Sequence, residues 1–152
     1  MSSEATAGLA IEVHEGFPST AVVINCPQKS ADIQKIISLL QSLDRKIYGV
    51  RNGQTHAIDW RDVLYVESVD KHCFVYTAGA VYETSLKLYE FEERYADLGF
   101  FRASKAQIVN VARIATLRPE FGSRMELVME NGEKLIVSRQ YTHMLKERLG
   151  LL

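Results

Sequence analysis

Few residues in this chain announce a chemistry. Its two cysteines, Cys26 and Cys73, stand far apart and form no C-x-x-C pair. That removes a disulfide scaffold and reads as two reduced, buried thiols in the cytoplasm. No apolar run approaches the roughly 20 residues needed to cross a bilayer. The first residues, M-S-S-E-A-T-A-G, lack the basic-then-apolar order of a secretory signal. A membrane protein is therefore not expected. Phosphate-cradling G-x-G-x-x-G and G-x-x-x-x-G-K-[ST] loops are missing, as is a G-x-S-x-G nucleophile turn. His14, His56, His72 and His143 stand in separate elements without zinc-site spacing. Asp59, Asp62 and Glu67 cap or flank strands, while Glu90, Glu92 and Glu93 form the wet face of a helix. No catalytic residue, metal or cofactor is expected. The chain reads as one that binds.

What is present is mostly strand. At 152 residues the chain can bury a core as one domain with a small appendage. Leu9, Ile11 and Val13 alternate with polar neighbours as a half-buried strand does. Residues 20–24 predict a second strand, closed by Cys26-Pro27. Ser30 then starts a helix with Ile33, Ile36, Ile37, Leu40 and Leu43 along one face. This β-β-α unit, residues 1–45, must pack on the rest of the chain or on a second copy of itself. From residue 46 short strands alternate with turn signals, including Asn52-Gly53 and Asn131-Gly132. The expected strands are 47–50, 55–58, 63–67, 73–77, 81–84, 112–118 ended by Pro119, 125–129 and 134–137. The expected helices are 87–97 and 141–149, the latter with Lys146 and Arg148 near its carboxyl end, where the dipole favours cations. No internal repeat, low-complexity run or long linker interrupts them.

The net charge of −1 hides a gradient. Residues 1–45 carry −2 and residues 46–99 carry −3, but residues 100–152 hold nine cations against five acids, a net +4. A local positive face can bind phosphate on a near-neutral protein. In that third lies F-F-R-A-S-K-A-Q-I-V-N, from Phe100 to Asn110, where apolar ends bracket Arg102, Ser104, Lys105 and Gln107. Its companion is Ile136-Val137-Ser138-Arg139-Gln140, an apolar run that delivers an arginine. Arginine can meet guanine O6 and N7 in bidentate fashion, whereas lysine and serine serve bases or phosphates. Asn110 ends the loop and fits a turn-holding role. His72 sits in the polar turn Asp70-Lys71-His72.

Taken in order, these residues resemble the LytTR family of bacterial DNA-binding domains, over about residues 46–149. The resemblance is carried by Ile58-Asp59-Trp60-Arg61-Asp62-Val63-Leu64-Tyr65-Val66-Glu67, by Phe101-Arg102 through Ile108-Val109-Asn110, by Asn131-Gly132, and by Val137-Ser138-Arg139-Gln140-Tyr141. It implies a mainly β (α+β) fold: an elongated β-β-β arrangement of short antiparallel sheets with short helices, at 46–152, behind the β-β-α extension. It also implies loops that enter successive major grooves of double-stranded DNA and bend it. Base contacts are implied for His72, Ser104, Lys105 and Arg139, and phosphate contacts fit Lys71, Lys87 and Lys105. Arg102, Gln107, Ser138 and Gln140 complete the candidate DNA-binding set. Many members carry R-x-H-[RKN]-S-[YF] where this chain has Arg102-Ala103-Ser104-Lys105-Ala106-Gln107. Serine for histidine and glutamine for the aromatic change what this loop offers a base. The serine-lysine form resembles compact members without a receiver domain, which implies a transcription regulator controlled by a neighbouring membrane protein. The Ile33, Ile36, Ile37 and Leu40 stripe could pair two chains, which would suit tandem half-sites. Other classes compatible with the residues are a protein-interaction module and a small-ligand sensor.

Overall fold

The computed structural model describes residues 2–6, 9–43 and 45–151, which divide into two compact units, residues 1–37 and 38–152. In the first unit, strands β1 (Ser2–Thr6) and β2 (Leu9–Val13) pair antiparallel as a hairpin. Helix α1 (Ala31–Ser42) begins at Ser30, whose Oγ accepts from Ile33 N at 3.4 Å. Ile33, Ile36, Ile37 and Leu40 are half-buried on it.

The elements run β-β-α, but not through the strand expected at 20–24, and α1 crosses the 37/38 division between the units rather than ending the first one near 45. Among the described residues the 20–24 segment pairs with no strand, and Val22 and Val23 are exposed. Cys26 is exposed, contrary to the expected pair of buried thiols; Cys73 is buried.

The second unit is built on a seven-stranded antiparallel sheet ordered β4-β3-β7-β6-β5-β9-β8. Its strands are β3 (Lys46–Arg51), β4 (Gln54–Asp59), β5 (Val63–Val69), β6 (His72–Thr77), β7 (Val81–Thr84), β8 (Phe100–Arg102) and β9 (Gln107–Asn110). Asn52 and Gly53 take φ of 52° and 74°, and Asp70 and Lys71 take 49° and 69°. Both pairs make the two-residue hairpin turn whose twist matches the strands it joins. Gly49 is needed for packing: a Cβ there would lie 2.6 Å from Tyr82 Cβ.

Each face of this sheet has its own core. Against one face, α2 (Leu88–Arg94) and the 3-10 turn after it bring Leu88, Phe91, Tyr95 and Leu98 onto Ile47, Val66, Val75 and Ile108. Against the other lies a three-stranded sheet, β10 (Ile114–Glu120), β11 (Arg124–Met129) and β12 (Lys134–Val137), followed by α3 (Arg139–Arg148). Here Met125, Leu127, Leu135, Val137 and Leu145 meet Leu64, Tyr65, Phe101 and Val109.

Three boundaries differ from the sequence reading. Pro119 does not end its strand but pairs with Met125, which an edge strand such as β10 tolerates. His72 is not in the turn; it opens β6 opposite Val69. Arg139 does not close a strand but begins α3, with Ser138 as the N-cap residue. Among the described residues, no helix is long and apolar enough to cross a membrane.

Candidate nucleic-acid interface

Strand register brings the expected site residues to one end of the large sheet. Val69 lies opposite His72, Cys73 opposite Thr84, Glu67 opposite Gln107, and Arg102 opposite Ile108. The 70–71 turn, the 85–87 segment and the 103–106 loop therefore leave the sheet at the same end. Two backbone hydrogen bonds tie neighbouring pieces together. Ser68 N donates to Ala106 O at 2.8 Å, and Ser138 N donates to Ala103 O at 2.9 Å. The second bond joins the Phe100–Asn110 stretch to the start of α3, setting the two sequence segments side by side.

The 103–106 loop is clasped from within. Arg102 Nε donates to Ser104 O at 2.7 Å, one terminal nitrogen donates to Lys105 O at 2.7 Å, and the other reaches Glu92 Oε2 at 3.0 Å. Its planar fork is thus occupied by the loop it supports. Ser104 Oγ accepts from Ala106 N at 3.2 Å, and Gln107 Nε2 donates to Glu67 at 3.3 Å. Lys105 is left exposed at the tip.

The remaining candidates divide in the same way. Ser138 is half-buried, and its carbonyl accepts from Thr142 N at 3.0 Å. Lys71, Lys87, Arg139 and Gln140 are exposed, and the Lys87 backbone N–H bonds Glu90 at 3.0 Å. His72 Nδ1 sits 2.7 Å from Glu83 Oε1 on the adjacent strand. With Nδ1–H donated to that carboxylate, Nε2 is the ring atom left for a ligand. Asn110 is buried; its amide donates to Val63 O at 2.9 Å and its oxygen accepts from Ala112 N at 3.2 Å. It holds the turn, as its place in the sequence suggested.

One part of this end was missed from the sequence. Glu120 pairs with Arg124, and Met125 with Val137, so the β10–β11 turn comes out beside Ser138. Arg124 therefore joins Arg139. The clue was two arginines, Arg118 and Arg124, flanking Gly122-Ser123, but a strand expected to stop at Pro119 hid it. Among the described residues, Lys71, Lys87, Lys105, Arg124 and Arg139 have no carboxylate within ion-pair distance.

The opposite end is neutralised. Asp59 accepts from Arg61 at 2.6 Å and lies 3.8 Å from Lys46, and Arg113 reaches Glu130 at 2.9 Å. The Arg61 hydrogen bond holds the Asp59 carboxyl well below the usual carboxylate range. Burial pushes the Cys73 thiol up, which makes it a poor nucleophile.

A stiff antiparallel scaffold with free cations and hydrogen-bonding side chains on the loops of one end is a binding architecture fitted to a polyanion. The comparisons give it a family: a profile of the LytTr DNA-binding domain matches residues 53–150, and the chain belongs to that family. Its fold resembles the LytTr DNA-binding domain of a methyl-accepting/DNA response regulator from Bacillus cereus, with a TM-score of 0.66 and 28% identity over 69% of this chain and 96% of that one. An uncharacterized HTH-type transcriptional regulator of Staphylococcus aureus (strain NCTC 8325) is 28% identical over 130 residues, 84% of this chain and 88% of that protein. The sensory transduction protein LytT of Bacillus subtilis (strain 168) is 34% identical over 94 residues, 62% of this chain but 39% of LytT. No helix-turn-helix pair occurs among the described residues here: strands separate α1, α2 and α3 in sequence.

Proposed function

We propose that this chain is a bacterial transcription regulator that binds double-stranded DNA sequence-specifically, through residues 46–152, without catalysis. The observation that carries the reading is the Ser138 N to Ala103 O bond, which holds the Lys105 loop and Arg139 together at one sheet end. Arg139 reads a base edge, and His72, presented through Nε2, reads another. Lys71 and Lys87 neutralise phosphates, and Lys105 serves either purpose. Arg102 supports the Lys105 loop from behind, and Ser104, Gln107 and Ser138 shape it. Gln140 faces the duplex beside Arg139. The protein works in the cytoplasm, pairs with a second copy through Ile33, Ile36, Ile37 and Leu40, and answers to a membrane partner.

Selection of fragments from a random-sequence DNA pool by the full chain tests the reading. Enrichment of one motif is expected, with preference relaxed at one base pair in the Arg139→Ala variant. Recovery of fragments without sequence preference would overturn it.

A further inference from the structure

We infer that the groove between α3 and the β10–β11 turn is a second phosphate site, which carries the DNA backbone past the base pair met by Arg139. The inference rests on the DNA-binding reading above. The groove has a volume of about 280 Å³, and Arg124, Arg139, His143 and Lys146 line it together with one acid, Glu120. Arg139, His143 and Lys146 follow one another at four and three residues along α3, so they share one face of the helix. Arg124 reaches the groove from β11. Its Nε donates to Phe121 O at 3.0 Å, which fixes the guanidinium and leaves both terminal nitrogens as donors. The backbone fold that permits this is local: Gly122 and Ser123 take φ of 77° and 63° and turn β10 back into β11.

DNA is the occupant because the groove continues the reading end rather than standing apart from it. Arg139 belongs to both, one residue from the Ser138–Ala103 bond. A duplex carries about one negative charge per 1.7 Å of its axis, so backbone adjoining a base pair at Arg139 must meet some part of the surrounding surface. Along α3 that surface holds three permanent cations, Arg124, Arg139 and Lys146, against Glu120. His143 adds a ring whose Nε2 is a distant 3.9 Å from Glu147. Arg124 comes from β11, outside the base-reading segments, which is why the site became visible only in the fold.

The test uses the full chain and the duplex motif recovered by selection, made with long and with short flanks. Arg124→Gln and Lys146→Gln should each lower the magnitude of the slope of log K against log salt by about 0.9. Affinity should fall several-fold alike on specific and random duplexes, with the selected motif unchanged. The wild type should prefer the long flank, and the double variant should not. Lys146→Arg, which keeps the charge, should retain the wild-type slope. If wild type binds its motif but the folded double variant keeps the same slope and flank preference, the groove is not a DNA site and the reading above survives. If wild type shows no DNA selectivity, both fall.

Discussion

The two ends of the seven-stranded sheet are made of the same strands and treat charge in opposite ways. At the end where β5 begins and β4 stops, Lys46, Arg61 and Arg113 are matched by Asp59, Asp62 and Glu130. A cavity of about 540 Å³ lies there, lined by Arg113, which pairs with Asp62 and Glu130, and by Asp59, which pairs with Arg61 and Lys46. At the end where β5 finishes, Lys71, Lys105, Arg124 and Arg139 have no carboxylate within ion-pair distance among the described residues, whereas Arg102 pairs with Glu92 and is folded under the loop, and Arg118 pairs with Glu126. Net charge is a poor guide to a polyanion partner because it averages these ends. What matters is whether a cation's hydrogen-bonding capacity is already filled by the protein.

The contrast can be broken from either end. Arg139→Ala should have the largest effect, costing roughly 1–3 kcal/mol of specific affinity and relaxing preference at one base pair. Equal losses on specific and random duplexes in a titration would count against direct readout. Glu83→Ala comes next, and its sign is informative. Deleting an acid near DNA should raise affinity on charge grounds alone. If Glu83 orients His72, specific affinity should instead fall several-fold, and that fall should vanish in a His72→Ala background. A gain in specific affinity would show that the 2.7 Å contact does not serve binding. Lys71→Ala should weaken specific and random binding alike and reduce the salt slope by about 0.9; an unchanged slope would refute a phosphate role.

The smallest effect belongs to the neutralised end. The Asp59 carboxyl is depressed, chiefly by the Arg61 hydrogen bond. A carboxyl lowered in the native state stabilises the fold fully above its unfolded value of about 3.9. That contribution fades as pH falls toward the depressed native value. Asp59→Asn should therefore flatten the loss of thermal stability below about pH 4 and leave DNA affinity at neutral pH unchanged. Weaker DNA binding in this variant would mean that the two ends are not independent.

Most strands were legible because their signals are local. Period-two alternation marks β2, and the Asn52-Gly53 and Asn131-Gly132 pairs allow the backbone to reverse without a steric penalty. The odd composition of the Phe100–Asn110 stretch likewise singled out a loop unsuited to a core. Failures came where a residue's state depends on a distant partner. Residues 20–24 have strand composition, but they pair with no strand among the described residues, whereas Ser2–Thr6 does pair with β2. Nor could the sequence show that Arg102 bonds two loop carbonyls and Glu92.

By itself, then, the order of residues determined which segments are extended, where they reverse, and which loops carry side chains a core would reject. Only the tertiary structure decided that those loops share an end, that Arg124 and Lys146 stand beside Arg139, and which cations remain unpaired. Extension and reversal follow from each residue's own steric preferences, whereas strand pairing and hydrogen-bond saturation are settled between groups tens of residues apart.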